Sequence, residues 1–460
     1  MKLKRLIQDL NLEVKGSKEV EITGISSDSR RIFPGNLFIA KKGGSFDAAA
    51  FIPDAINAGA SAVLSDLFDP FLKAVQLICP SPKEIEAKLG ARYYGEPSKE
   101  LFVVGVTGTK GKTTTSYLIK HILDQIQMPS ALVGTIETII GENRFSSTLT
   151  THDVISNQKW LREMVQKGCK GSVLECSSHG LIQGRLDEIA FDLAIFTNLT
   201  PDHLDYHGTV EEYARAKRKL FERAKRSILN ADSPWANEMG RGVTFGIEKG
   251  DVRAEKISFA MDHTVFEVQG VSFYLPLIGK FNVYNALAAI AVGLDRGASL
   301  QAIREALCFF RSPPARLQRF GNVFIDFAHN GEALENVLAT LREVSLGKII
   351  VVFGCGGNRD PERRTGMAKA AEAWADETIL TNDNPRKEDP EEIIRQIRSA
   401  FAKKTPKIEL DRKKAIEMAI QMAKPEDCVL IAGKGHERVQ IFAHQTVPFD
   451  DAEIVRGILG

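Results

Sequence analysis

The run Gly108-Thr109-Lys110-Gly111-Lys112-Thr113-Thr114 is built for chemistry on phosphate. Its glycines let backbone N–H groups curl round phosphate oxygens, Lys112 offers a cation to the β- and γ-phosphates of ATP, and Thr113 can hold Mg²⁺ at a helix N-terminus that favours anions. The run departs from the strict G-x-x-x-x-G-K-[ST] spacing, because Val106 stands where the first glycine belongs. Taken alone it could be a structural turn, so neighbouring segments matter. Glu175 closes the apolar run Ser172 to Leu174 and leads into Cys176-Ser177-Ser178-His179-Gly180, while Thr197-Asn198 leads into Pro201-Asp202-His203. A carboxylate and an imidazole beside a polyphosphate suit Mg²⁺, which takes few protein ligands and completes its shell with phosphate oxygens and water. Glu175 and His203 are therefore metal candidates as a pair; either one singly reads as well as a strand-end Glu or a loop-capping His.

A lysine in an apolar stripe is the second signal. Thr209-Val210-Glu211-Glu212 is a capping box, which predicts a helix running on to Phe221. At about 100° per residue, Val210, Tyr213, Ala214, Leu220 and Phe221 share one face, with Lys217 in its middle, while Arg215, Arg218 and Lys219 point elsewhere. Either the stem snorkels to bring its ammonium to solvent, or the amine is desolvated. A desolvated amine has a lowered pKa and could add CO₂, giving a carbamate whose oxygens face a second Mg²⁺. The pattern leaves both readings open.

These segments need scaffolds that bring strand ends together. From Leu101 onward, buried parallel-type strands alternate with helices: Leu101 to Val106, a helix from about Lys112, then Ser172 to Glu175 and Phe191 to Leu199. That pattern predicts a doubly wound sheet, in which ligands gather at the carboxyl ends of the strands. After Ser312-Pro313-Pro314 a second alternating series begins, with strands at Val323 to Ala328, Lys348 to Gly354, Asp376 to Asn382 and Asp427 to Gly433. Its strand ends carry Gly356-Gly357-Asn358-Arg359, Asp383-Asn384-Pro385-Arg386 and Gly433-Lys434-Gly435-His436-Glu437, predicting a second crevice. The first 97 residues hold short apolar runs broken by Gly and Pro, with little room for long helices beyond an amphipathic N-terminal one. The expected fold class is α/β in three domains: a small α/β domain at 1–97, a central doubly wound P-loop ATPase domain at 98–311 and a Rossmann-like domain at 312–460.

Composition agrees with several cores and limits the partners. With 460 residues, 43% of them hydrophobic, the chain fits about three domains of roughly 100–200 residues each. Sixty Lys and Arg balance 59 Asp and Glu, so the net charge of +1 gives no global field for nucleic acid or an anionic membrane. Six cysteines lie scattered without C-x-x-C or metal-ligand spacing and read as reduced thiols. No stretch reaches the roughly 18 uninterrupted apolar residues of a membrane span. A cytoplasmic chain, expected to be monomeric, follows.

The cradle Gly108 to Thr114, the strand end Leu174 to Leu181, the loop Thr197 to Thr209 and the helix Tyr213 to Phe221 together resemble the Mur ligases, and the resemblance covers nearly the whole chain. Runs Leu174 to Arg185, Thr381 to Arg386 and Ala432 to Glu437 are similar to the branch that adds the third peptide residue. The resemblance implies ATP and Mg²⁺ as cofactors, UDP-N-acetylmuramoyl-L-alanyl-D-glutamate as acceptor and meso-diaminopimelate as the added amino acid. It implies that Lys112, His203 and Lys217 are catalytic. Lys217 would be the family's carbamylated lysine (N6-carboxylysine), joining Thr113, Glu175 and His203 at the metals. Ser29, Thr150, Thr151, Ser177, Gln183 and Arg185 would contact the UDP-muramoyl peptide, and Asn285 the adenine. Arg316, Asp326 and His329 would reach the nucleotide from the third domain once it closes and excludes water. Arg359, Asp383, Asn384, Arg386, Gly433 and Glu437 would form the amino-acid pocket. There a bidentate Arg386 and the Glu437 carboxylate complement the far carboxylate and ammonium of diaminopimelate. Three positions depart from the family pattern: His152 replaces a Pro, Phe327 a Tyr and Ala48 a Gly. An L-lysine-adding relative is the nearest alternative, and a folylpolyglutamate synthase-like ligase, which would lack the Asn384-Pro385-Arg386 pocket, a more distant one. A regulatory P-loop switch would want an N-K-x-D motif, which the chain lacks; a nucleotide-binding scaffold without turnover would tolerate loss of Lys217 or His203.

Overall fold

The computed structural model describes residues 1–42 and 47–460. The chain divides into two compact units, Met1–Lys112 with Leu123–Thr244, and Thr113–Ile122 with Phe245–Gly460. In the first unit, the short apolar strands Gly24–Ser26, Asn36–Ile39, Ala62–Ser65 and Val75–Ile78 pair in parallel, and Glu13–Lys15 joins antiparallel to Val75–Ile78. Two expectations fail here. The amphipathic N-terminal helix is a single turn, Leu3–Leu6, followed by Asp9 at φ +58°, a conformation incompatible with a continuing helix. A 12-residue helix, Pro82–Tyr93, stands where little helix was expected. Its Ala87 and Leu89 pack with Val154 and Ile155. Glu86 is 3% exposed and accepts two hydrogen bonds from Lys41 Nζ, at 2.6 and 2.5 Å. A paired carboxylate on a buried face breaks the apolar periodicity that would have announced the helix.

A second, mostly parallel sheet carries the phosphate loop. Its central strands lie in the order Ala224–Asn230, Phe191–Phe196, Phe102–Thr107, Gly171–Glu175, Ser130–Val133. Val103, Val104, Val106, Ala194, Ile195 and Phe196 are fully buried, as strands covered on both faces require. From Phe102–Thr107 the chain winds first to one side and later to the other. The strand order therefore reverses between Phe102–Thr107 and Phe191–Phe196, and the carboxyl ends of those two strands form the switch point at which such sheets bind ligands.

In the second unit, the strands Glu255–Phe259, Thr264–Val268 and Val271–Leu275 form an antiparallel sheet. A six-stranded sheet follows in the order Gln318–Phe320, Val323–Asp326, Cys428–Ala432, Ile349–Phe353, Glu377–Leu380, Lys407–Ile408, parallel except for its first pair. Helices Gly331–Val344 and Glu362–Trp374 contribute to one apolar cluster on it, Arg412–Met422 and Asp451–Leu459 to another. This doubly wound, Rossmann-like arrangement is the one expected. No helix among the described residues is long and apolar enough to cross a membrane.

Candidate active site

The loop after Phe102–Thr107 is held open by the neighbouring strand end. Asn198, just beyond Phe191–Phe196, accepts from Thr109 N through its carbonyl (3.0 Å) and from Lys110 N through Oδ1 (2.9 Å), and donates Nδ2 to Lys110 O (3.1 Å). Gly108 sits at φ +153°, and a Cβ there would lie 1.9 Å from Thr197 Oγ1, so no larger residue fits. Lys112 Nζ donates to Gly108 O (2.8 Å) and Thr109 O (2.9 Å), and the helix Lys112–Gln125 begins at once. The geometry is that of a phosphate cradle at a helix start.

Lys217 lies on the helix Val210–Phe221, capped by Thr209 as expected, and is 1% exposed. Its Nζ donates to Gly108 O (3.0 Å) and stands 4.2 Å from the centre of the Tyr213 ring. Burial, reinforced by the Lys112 charge, drives its pKa well below the ordinary lysine value. The snorkelling reading therefore fails: the amine stays inside, next to the cradle.

Glu175 is also buried; its Oε1 accepts from Thr135 N (3.0 Å) and its Oε2 from Thr135 Oγ1 (2.8 Å). A Cβ at residue 134 would come 2.3 Å from Oε1, so Gly134 makes room for the carboxylate. His203 is half exposed, at φ +54°, its ring 5.0 Å from that of His179 and 6.3 Å from that of Tyr213. Among the described residues no three His, Cys, Asp or Glu side chains cluster tightly enough to hold a metal by themselves. This donor set suits an ion whose shell is completed by phosphate and water, and not a protein cage.

Five of the six residues expected at the muramoyl peptide form one hydrogen-bonded group. Thr150 Oγ1 lies 3.1 Å from Thr135 Oγ1; Thr151 Oγ1 donates to Glu175 O (2.9 Å) and accepts from Ser177 N (3.0 Å). Arg185 donates to Thr151 O (2.8 Å) and to Gln183 Oε1 (2.6 Å). Ser29 opens a short 3₁₀ turn, Ser29–Arg31, and among the described residues no direct bond joins it to that group. Burial lowers the pKa of His152, against the pull of Asp153, and the charges of Arg31 and Arg185 add to the lowering.

In the second unit, buried Asn285 accepts from Thr115 Oγ1 (3.1 Å) and donates to Asn282 Oδ1 (3.0 Å). Thr113 and Thr114 are buried in the first turn of their helix. Arg316 lies over Phe327 (5.4 Å), whose ring also meets those of His329 (4.6 Å) and His436 (4.8 Å), and Asp326 Oδ2 accepts from Leu317 N (2.8 Å). The three strand-end loops of the six-stranded sheet converge. Gly357 N donates to Asn384 O (2.9 Å), Arg386 Nη1 to Gly357 O (2.9 Å) and Asn384 Nδ2 to Glu437 Oε2 (2.6 Å). Asp383 is buried, its pKa raised by desolvation, and a Cβ at Gly433 would lie 2.7 Å from its Oδ2. Arg359 is exposed at the rim, its Cγ 3.7 Å from where a Cβ at Gly356 would lie.

Three domain families match the chain in succession: the Mur ligase family, catalytic domain, over residues 21–88, the Mur ligase middle domain over 106–293, and the Mur ligase, glutamate ligase domain, over 315–435. The UDP-N-acetylmuramoyl-L-alanyl-D-glutamate--2,6-diaminopimelate ligase of Chlamydia caviae is 44% identical over 480 residues, spanning 100% of this chain and 99% of the relative. The chain belongs to the Mur ligase family. A solved structure of a UDP-N-acetylmuramoyl-L-alanyl-D-glutamate--2,6-diaminopimelate ligase matches it with a TM-score of 0.72 at 32% identity, covering 100% of this chain and 98% of that one. A Thermotoga maritima Mur ligase in complex with ADP shares the fold, with a TM-score of 0.66 at 20% identity, covering 90% of this chain and 94% of that one. As a Mur ligase, the chain is an ATP-dependent ligase.

Sequence reasoning missed several residues of this Mur ligase. Asn198 was visible as a strand-end residue, yet only its place in the switch crevice shows that it props the phosphate loop. Thr135 stands in no motif, and its grip on Glu175 is set by a strand connection. Arg412 and Asp451 form a fully buried bidentate pair, 2.8 Å at both contacts, which no spacing announces.

His436 gives this Mur ligase a pH-sensitive element. Burial, with Arg316 alongside, pushes its imidazole down to about 4 from the ordinary 6.5. The unfolded chain therefore binds a proton near pH 6.5 that the folded chain refuses until about pH 4. This contribution is complete above pH 6.5 and is lost as pH falls toward 4, at no more than about 1.4 kcal/mol per pH unit. Urea unfolding is expected to show a lower stability at pH 5 than at pH 7, and His436→Asn to flatten that slope. An unchanged slope in the variant rejects the assignment.

Proposed function

We propose that the chain joins meso-diaminopimelate to the γ-carboxylate of the D-glutamate in UDP-N-acetylmuramoyl-L-alanyl-D-glutamate, with conversion of ATP to ADP and phosphate, in peptidoglycan precursor synthesis. The convergence of the strand-end loops that bear Arg386, Asn384 and Glu437 carries this reading, because a guanidinium and a carboxylate on adjoining loops complement the zwitterionic far end of that amino acid. The names of the relatives agree with it. ATP phosphorylates the γ-carboxylate to an acyl phosphate, and the incoming amine attacks the acyl carbon and expels phosphate. Lys112, with the backbone N–H groups at the start of its helix, binds and orients the transferred phosphoryl group. Asn285, Arg316, Asp326 and His329 serve the nucleotide; Ser29, Thr150, Thr151, Ser177, Gln183 and Arg185 serve the muramoyl peptide. Glu175, His203 and a carbamate on Lys217 would hold Mg²⁺, which neutralises phosphate charge. Residues 1–97, 98–311 and 312–460 are assigned as the three domains, and the protein as a cytoplasmic monomer.

The test is phosphate release from ATP with the UDP-linked dipeptide and, in parallel, meso-diaminopimelate, L-lysine or no amino acid. Turnover with meso-diaminopimelate alone is expected. Turnover with lysine would overturn the pocket assignment, and silence in all arms would redirect the assignment to a folylpolyglutamate synthase-like ligase.

A further inference from the structure

Lys434 stands on the loop that bears Glu437, reaches the loop that bears Asn384 and is 0% exposed. A buried ammonium is costly unless every N–H finds an acceptor. Its three protons are matched by Asn384 Oδ1 (3.1 Å), Glu437 Oε2 (3.3 Å) and Val439 O (2.7 Å). Asn384 is thereby fixed in one orientation. Its Oδ1 accepts from Lys434 and from Ile441 N (3.0 Å), and its Nδ2 donates to Glu437 Oε2 (2.6 Å). Turning the amide over would set an oxygen against a carboxylate and an NH₂ against two donors.

The same lysine reaches Arg386 indirectly. Val439, whose carbonyl it holds, begins the strand Val439–Ile441, and Ile441 O accepts from Arg386 N (3.0 Å). Arg386 itself sits at φ +56°, a backbone shape that a non-glycine residue keeps only under constraint. One ammonium therefore ties the Glu437 carboxylate to the strand that holds the Arg386 backbone. Among the described residues Glu437 Oε1 has no hydrogen-bond partner, and the side chain is 35% exposed, so one oxygen is pinned and the other faces outward.

We propose that Lys434 is a positioning residue for amino-acid recognition, setting the spacing between the Glu437 carboxylate and the Arg386 guanidinium to the span between the ammonium and carboxylate at the far end of diaminopimelate. This rests on the reaction proposed above. Lys434 touches no substrate; it acts through Asn384, Glu437 and the strand Val439–Ile441.

The experiment uses the full chain and the variants Lys434→Met, Lys434→Gln, Glu437→Gln and Lys434→Met/Glu437→Gln. For Lys434→Met the KM for meso-diaminopimelate is expected to rise about 10- to 100-fold, the range for losing a hydrogen bond to a charged group, with the KM values for ATP and the UDP-linked dipeptide unchanged. Lys434→Gln, which keeps two donors, should fall between Met and wild type. The double variant should be no worse than the poorer single one, because both act on one contact. Acyl-phosphate formation, trapped without amino acid, should survive in Lys434→Met and Lys434→Gln. Equal losses for all three substrates, additive effects in the double variant, or loss of acyl phosphate would overturn the proposal and leave a structural lysine. If wild type fails to use diaminopimelate at all, the reaction falls instead.

Discussion

Lys217→Ala is expected to lower kcat about 10³-fold, the scale for removing a group that stabilises transition-state charge, and a small carboxylate such as formate or acetate should restore part of it. The argument starts from burial. An ammonium at 1% exposure donates to Gly108 O and faces the Tyr213 ring, and among the described residues no carboxylate pairs with it directly, Asp202 acting on it only at a distance. Desolvation and the nearby Lys112 cation both favour the neutral amine. A neutral amine is a nucleophile for CO₂, and the carbamate that results turns a misplaced cation into an anion suited to face Mg²⁺. A free carboxylate in the space vacated by the side chain supplies the same charge, which explains the expected rescue. Lys217→Met, which fills that space, should lose activity without rescue. Steady-state kinetics with and without added carboxylate decides the matter: full activity in the alanine variant, or loss with no rescue and an unchanged melting temperature, removes the carbamate from the scheme.

Arg386→Ala is expected to reduce selectivity for meso-diaminopimelate over L-lysine by about 10⁴-fold in kcat/KM, the scale seen when a site built to bond a polar group meets an analogue lacking it. In wild type, lysine leaves the guanidinium desolvated and unpaired. In the variant that penalty is gone, so lysine improves somewhat while diaminopimelate loses its main anchor. Arg386→Lys should not restore selectivity, since an ammonium lacks the planar fork that grips a carboxylate at two points. Parallel kcat/KM measurements with the two amino acids settle this; an alanine variant that keeps its preference places the discriminating contact elsewhere.

Much of this was legible in residue order. The strand, loop and helix at 102–125, the helix capped by Thr209 and the inward-facing Lys217 are local patterns, and each reappears in the structure. Local patterns fail where a long-range partner overrides them. Glu86 hides its helix because Lys41, 45 positions earlier, makes its burial tolerable. The N-terminal segment has helical apolar spacing but yields to pairing of Glu13–Lys15 with Val75–Ile78. Lys434 was visible as part of a strand end flanked by glycines, yet its role depends on Asn384, 50 positions away. The order of strands in the sheet creates such contacts, and no single stretch of sequence encodes it.

Gly108 O receives both Lys112 Nζ and Lys217 Nζ, so one carbonyl couples the phosphate loop to the helix behind it. Anything that alters the charge on one lysine alters the free energy of the other. If Lys217 takes up CO₂ as proposed, a repulsive neighbour of Lys112 would become an attractive one, and phosphate arriving at Lys112 would change how readily Lys217 takes up CO₂. Thermodynamic reciprocity makes these two effects equal in size. On that proposal nucleotide affinity and CO₂ availability would be linked variables, and the nucleotide dissociation constant should depend on the bicarbonate in the buffer.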